Sequence, residues 1–165
     1  MNAEPAVTNG PHVTAEARER VGTVTATYRS DPVSLRQIRE YVAGTGGRPE
    51  EIGDPDDPHA AVIAPPLFFH AACRRVLAEA DLQPDGQYPF LGIAGVSGNT
   101  MAGGHTYEIL DLVRVGDVLT VTERLTDIVE KIGRTGPLVF VTTDSTYHNQ
   151  LGTLVGRYRQ TIIFR

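Results

Sequence analysis

The pattern of apolar and polar positions opens with Val21-Gly22-Thr23-Val24-Thr25-Ala26-Thr27-Tyr28, a β-branched run closed by Ser30-Asp31-Pro32 that predicts a first short strand. The pattern then turns helical. Leu35, Ile38 and Val42 recur at helical spacing behind Ser34, and Gln37 three positions on completes a capping-box signature, predicting a helix from Ser34 to about Ala43. Gly44-Thr45-Gly46-Gly47 ends it, and the following Gly-, Pro- and Asp-rich stretch to Ala64 predicts a long loop of the kind that often carries function. Two prolines, Pro65 and Pro66, suit the first turn of a second helix predicted to run to about Ala80, with Leu67, Phe68, Ala71, Ala72, Val76, Leu77 and Ala80 as its apolar face. His105 to Val113, Val118 to Val129, Pro137 to His148 and Thr153 to Phe164 are β-branched or alternating, with turn residues between them. In the last of these Tyr158, Ile162 and Phe164 share one side, while Arg157 and Arg159 share the other. The predicted fold is α+β: one long central helix wrapped by a curved antiparallel meander.

Composition narrows the setting. The chain has 165 residues, enough for one domain with a real core, and a formal charge of −5 from 15 basic and 20 acidic residues. Such a charge gives no field to collect nucleic acid or an anionic membrane, so the expected partners are small molecules or proteins. Residues 1–15 are expected to be loose, with one domain from 16 to 165. There is no secretory signature and no apolar run of about eighteen residues, so a cytoplasmic location is expected. Cys73 stands alone on the second helix, which excludes an internal disulfide and reads as a buried structural thiol. No His or Cys pairs at metal-ligand spacing, and neither a metal nor a cofactor is expected.

Five segments carry a family resemblance: Ile63-Ala64-Pro65-Pro66-Leu67-Phe68, Val115-Gly116-Asp117-Val118-Leu119, Asp127-Ile128-Val129-Glu130-Lys131, Gly136-Pro137-Leu138-Val139-Phe140-Val141, and Asn149-Gln150-Leu151-Gly152 leading into Arg159-Gln160-Thr161. In this order the chain from Ser34 to Arg165 resembles the MaoC-like (R)-specific hydratases and dehydratases, in particular their N-terminal dehydratase-like domain. The resemblance implies a hot-dog fold, dimerisation through the sheet, and action on 3-hydroxyacyl or 2-enoyl thioesters of coenzyme A or acyl carrier protein. That chemistry needs a base for the α proton, an acid for the leaving hydroxyl, and N–H donors for the thioester oxygen.

The family's sites are altered in this chain. Active members carry an aspartate followed about five residues later by a histidine. Aligned on the helix end at Tyr41 to Gly47, those positions hold Gly47 and Ile52, which cannot move protons. Pro65 and Pro66 fall on the family's His-Gly step, where proline offers no N–H and the donor would have to be Leu67 or Phe68. A second register offers Asp54 and His59 as the catalytic pair, against which stands the plain reading of an acidic turn-rich loop. Pro66, Leu67, Phe68 and His105 are the expected substrate-binding residues, His105 otherwise being a sheet cap. His70 is expected to be a hydrogen-bonded packing residue and His148 to face solvent. Arg134, Arg157, Arg159 and Arg165 are candidates for a rim facing an acidic carrier. Three functions stay open: a dehydratase, an acyl-binding half whose homodimeric or heterodimeric hot-dog partner supplies the acid and base, and a thioesterase on the same fold.

Overall fold

The computed structural model describes residues 12–53, 61–74, 76–82, 86 and 95–165. The sequence-predicted first helix is α2 (Leu35–Gly44), following the short α1 (Ala15–Glu19). Ser34 Oγ accepts from the Gln37 N–H at 3.2 Å and Gln37 Oε1 accepts from the Ser34 N–H at 2.8 Å, so the capping box closes and α2 buries Ile38 and Val42. Residues 12–15, expected to be loose, belong to the fold instead. β1 (His12–Val13) pairs with β3 (Val96–Ser97), and Thr14 caps α1 so that Ala17 is buried. Two short strands gain this order because they cover apolar sheet surface.

β2 (Val24–Arg29), β4 (Thr100–Ile109), β5 (Thr120–Gly133), β6 (Gly136–His148) and β7 (Leu154–Phe164) form one curved antiparallel sheet in the order β2-β5-β6-β7-β4. β5, β6 and β7 are the expected meander. β4 is not its neighbour in sequence order: it pairs with β7 at the far edge, so the link to β5 crosses the ends of β7 and β6. That link is no hairpin, because β6 and β7 lie between β4 and β5 in the sheet. The buried Asp117 carboxylate accepts from the Arg114 N–H at 2.8 Å and from Gln150 Nε2 at 2.9 Å, tying it to the β6–β7 turn.

The long central helix is the main correction. α3 spans only Phe68–Ala72, after a turn in which the Phe68 N–H donates to the Pro65 carbonyl. Helices in proteins persist mainly where an apolar face packs; Phe68, Phe69 and Cys73 are buried, whereas Val76 is 97% exposed and Ala80 lies in a separate exposed 3-10 turn. Beyond Cys73 the stripe's Val76 and Ala80 lie open to solvent. Where α3 does pack, it approaches closely: a Cβ at Gly156 of β7 would sit 2.9 Å from the Phe69 ring.

The inner face of the sheet carries two separate apolar clusters. One gathers Ile38, Val42, Phe68, Phe69, Leu119, Val121 and Tyr147 under α2 and α3. The other gathers Leu125, Val139, Val141 and Phe164, with Val13 and Val96 packed against it.

Candidate functional site

Between the two clusters the inner face is polar. Side chains alternate across a strand, so the inward positions follow from the register. Glu123 of β5 pairs with Ser145 of β6, Ser145 with Tyr158 of β7, Thr143 with Gln160, and Gln160 with His105 of β4. Thr143 and Ser145 are each only 4% exposed, whereas His105 is exposed. A transverse belt of hydroxyl, amide, carboxyl and imidazole groups thus crosses four strands, opening at the β4 edge.

α3 adds His70 above this belt. Its Nδ1 lies 2.9 Å from the Tyr147 hydroxyl and its ring packs on Tyr158 at 4.5 Å between centroids. Burial, then Arg74 and His105 nearby, push the His70 pKa down from 6.5 to about 4, so the imidazole is neutral at pH 7. Tyr158 is the centre of the group. Its hydroxyl donates to Gln160 Oε1 at 2.6 Å and meets His105 Nδ1 at 2.7 Å, and its ring stacks on Tyr107 at 4.8 Å. Burial raises the pKa of both Tyr147 and Tyr158, which stay protonated hydroxyls. It also raises the Glu123 carboxyl. Among the described residues no three His, Cys, Asp or Glu gather as a metal site.

The sequence-expected residues fall in different places. Asp54 and His59 lie outside the described residues. Pro66 and Leu67 are exposed, while Phe68 is a core residue set edge-on to Tyr41 at 5.5 Å. The Phe68 N–H is taken by Pro65, so of the two proposed oxyanion donors it is not available. His105 is in the belt, and His70 packs and bonds. His148 is half-buried. A Cβ at Gly47 would lie 2.7 Å from Val42 Cγ1, so a side chain there would require Val42 to shift, and Ile52 packs against the first apolar cluster. Cys73 is buried, and burial pushes its thiol up to about 12.

Sequence reasoning missed Glu123, Ser145, Thr143 and Gln160. The signal was present: in Val121-Thr122-Glu123-Arg124-Leu125 the carboxyl takes the inward position between two apolar residues. On the outer face a groove of about 610 Å³ is lined by Thr106, Glu108, Arg124, Asp144, Arg157 and Arg159. Of its arginines, Arg157 pairs with Glu108 at 2.6 Å, Arg159 pairs with both oxygens of Asp144 at 2.6 Å, and Arg124 donates to the Gly22 carbonyl.

A family model described as FAS1-like, dehydratase domain region, matches residues 19–157. No curated protein matches the sequence. Among solved structures, the ChsH1-ChsH2 complex from Mycobacterium tuberculosis is similar with a TM-score of 0.67 at 16% identity, over 90% of this chain and 89% of that one. The R-hydratase PhaJ1 from Pseudomonas aeruginosa gives 0.59 at 18% identity, over 94% and 87%. A C-terminally truncated HadBC (3R-hydroxyacyl-ACP dehydratase) complex from Mycobacterium tuberculosis gives 0.58 at 17% identity, over 87% and 96%. At such identities these likenesses establish the hot-dog fold.

Proposed function

Because the chain belongs to the family of FAS1-like dehydratase domain regions, we propose that it is a component of a hydro-lyase acting on 3-hydroxyacyl or 2-enoyl thioesters of acyl carrier protein or coenzyme A, in fatty-acid-like or polyketide-like metabolism. Within that activity its role is to hold the acyl group, while a second hot-dog subunit supplies the aspartate and histidine. The observation that carries this reading is at Gly47 and Ile52. Neither residue carries a titratable group, a side chain at Gly47 would require Val42 to shift, and Ile52 packs against the apolar core, so the helix end serves packing and not proton transfer. Two of the similar folds come from complexes of two named components, ChsH1-ChsH2 and HadBC, which supports a paired arrangement here.

The division of labour follows from the chemistry. Loss of water across the α and β carbons needs one proton removed and one delivered, and the groups that do so must reach the reacting carbons. An acyl-binding half raises the rate by holding those carbons in place for its partner. The alternative, a self-sufficient enzyme using Asp54 and His59, makes an opposite prediction for the isolated chain.

The test is to isolate the chain from its own cells under mild conditions and identify what accompanies it. The expected companion is a hot-dog protein with an aspartate and a histidine about five residues apart, and the pair binds a 2-enoyl-coenzyme A. An isolated chain that dehydrates a 3-hydroxyacyl thioester, with Asp54→Asn abolishing turnover, would contradict the paired reading. Release of free coenzyme A would point to a thioesterase.

A further inference from the structure

A sheet face that serves only as a core is apolar, because each buried polar group forfeits water and is destabilising when unpaired. The inner face here departs from that rule in one place. Glu123, Ser145, Thr143, Tyr158, Gln160 and His105 interrupt two apolar clusters along four consecutive strands, at matching registers. A ligand with an unbroken alkyl tail would gain nothing from such a belt and would desolvate it.

The hydrogen bonds at the open end fix what the belt offers. Gln160 Oε1 can only accept, so the Tyr158 hydroxyl proton is committed to it. The Tyr158 oxygen is then left to accept, and the group facing it at 2.7 Å is His105 Nδ1, which must carry the proton of that bond. A neutral imidazole with its proton on Nδ1 has a bare lone pair on Nε2. His105 is exposed, so that acceptor is accessible while the rest of the relay is internally satisfied. Among the described residues no buried side-chain polar atom lacks a partner. At His105 the unfilled valence is therefore an acceptor, and its complement is a hydroxyl.

We propose that the acyl group bound on this inner face carries oxygen functions along its body, and that one of its hydroxyls donates to Nε2 of His105. The hydroxyl in question lies along the acyl body, beyond the 3-position that the proposed reaction already requires. Gln160 acts as a positioning residue: it sets the Tyr158 proton, which sets the His105 tautomer. This inference rests on the acyl-binding reading above and adds the chemical character of the ligand.

The test is calorimetric binding of two probes to the purified protein, together with its companion subunit where one accompanies it: dodecanoyl-coenzyme A, and dodecanoyl-coenzyme A bearing a mid-chain hydroxyl. The hydroxylated probe is expected to bind about tenfold tighter, as one net hydrogen bond allows. In His105→Leu that preference disappears. In Gln160→Leu the Tyr158 proton turns to Nδ1, and nitrogen NMR shifts of His105 report Nε2 changing from unprotonated to protonated. The same variant lowers the hydroxyl preference although His105 is intact. Equal affinity for both probes, a preference that survives both substitutions, or an Nε2–H tautomer in the wild-type protein would overturn the proposal and leave the acyl-binding reading standing. Failure of both probes to bind would overturn that reading, and this proposal with it.

Discussion

At the scale of single residues, burial decides which side chains keep their chemistry. Cys73 sits under the first cluster, and its thiol, held up near 12, supplies almost no thiolate at neutral pH. Iodoacetamide at pH 8 should leave it unmodified in the native protein and alkylate it fully in denaturant; rapid native labelling would show that the core around α3 opens. His70 makes a pH prediction with a definite sign. Its folded pKa is below its ordinary value, so between about 6.5 and 4 the unfolded chain binds a proton that the folded chain refuses. Stability from this group is complete above pH 6.5 and is lost progressively as the pH falls to about 4. Glu123 acts in the opposite sense, because a carboxyl raised by burial stabilises least once ionised. Urea midpoints at pH 7 and pH 5 should therefore fall less in His70→Gln than in the wild type, and Glu123→Gln should raise the midpoint at pH 7. A lowered midpoint in Glu123→Gln at pH 7 would mean the ionised carboxylate has a stabilising partner.

At the scale of elements, the two helices show what a sequence pattern can and cannot carry. α2 was legible to within a residue because its start is local chemistry: the Ser34 and Gln37 side chains close the box themselves. α3 was misjudged in length because its end is set by tertiary support, which periodicity does not record. Strand positions were legible from β-branching and turn residues, but the placement of β4 beside β7 rests on a ladder between distant segments, such as Tyr107 opposite Tyr158, which no local pattern records. Asp117→Ala would leave the Arg114 N–H unpaired and free Gln150 Nε2 to water, and we expect a loss of about 1–3 kcal/mol in denaturant unfolding. A change below about 0.5 kcal/mol would show that the link is held without it. Gly47→Asp would force Val42 aside at the end of α2 and should cost about 1–3 kcal/mol, without conferring turnover even beside Ile52→His. Gain of activity in that double variant with unchanged stability would show that the helix end has room for the family's pair.

At the scale of the whole molecule, the sheet brings together groups that lie far apart in the chain: Glu123, Ser145, Tyr158 and His105 come from four strands and meet only through register. Of this belt only His105 was singled out from the sequence for a role in binding, because a polar side chain at one strand position says nothing about its neighbours until the strand order is known. The altered positions at Gly47, Ile52, Pro65 and Pro66 were legible because a family pattern fixes what should stand there. Together these features describe a hot-dog fold whose inner face carries a polar belt and whose Gly47 and Ile52 hold no group for proton transfer, which is what the acyl-binding reading requires. The most direct test is the rate of hydration of a 2-enoyl-coenzyme A by the purified chain, measured alone and again after adding its companion hot-dog subunit. The account predicts no turnover above the uncatalysed rate for the chain alone and clear turnover for the pair; full activity of the chain alone, unchanged by the companion, would contradict it.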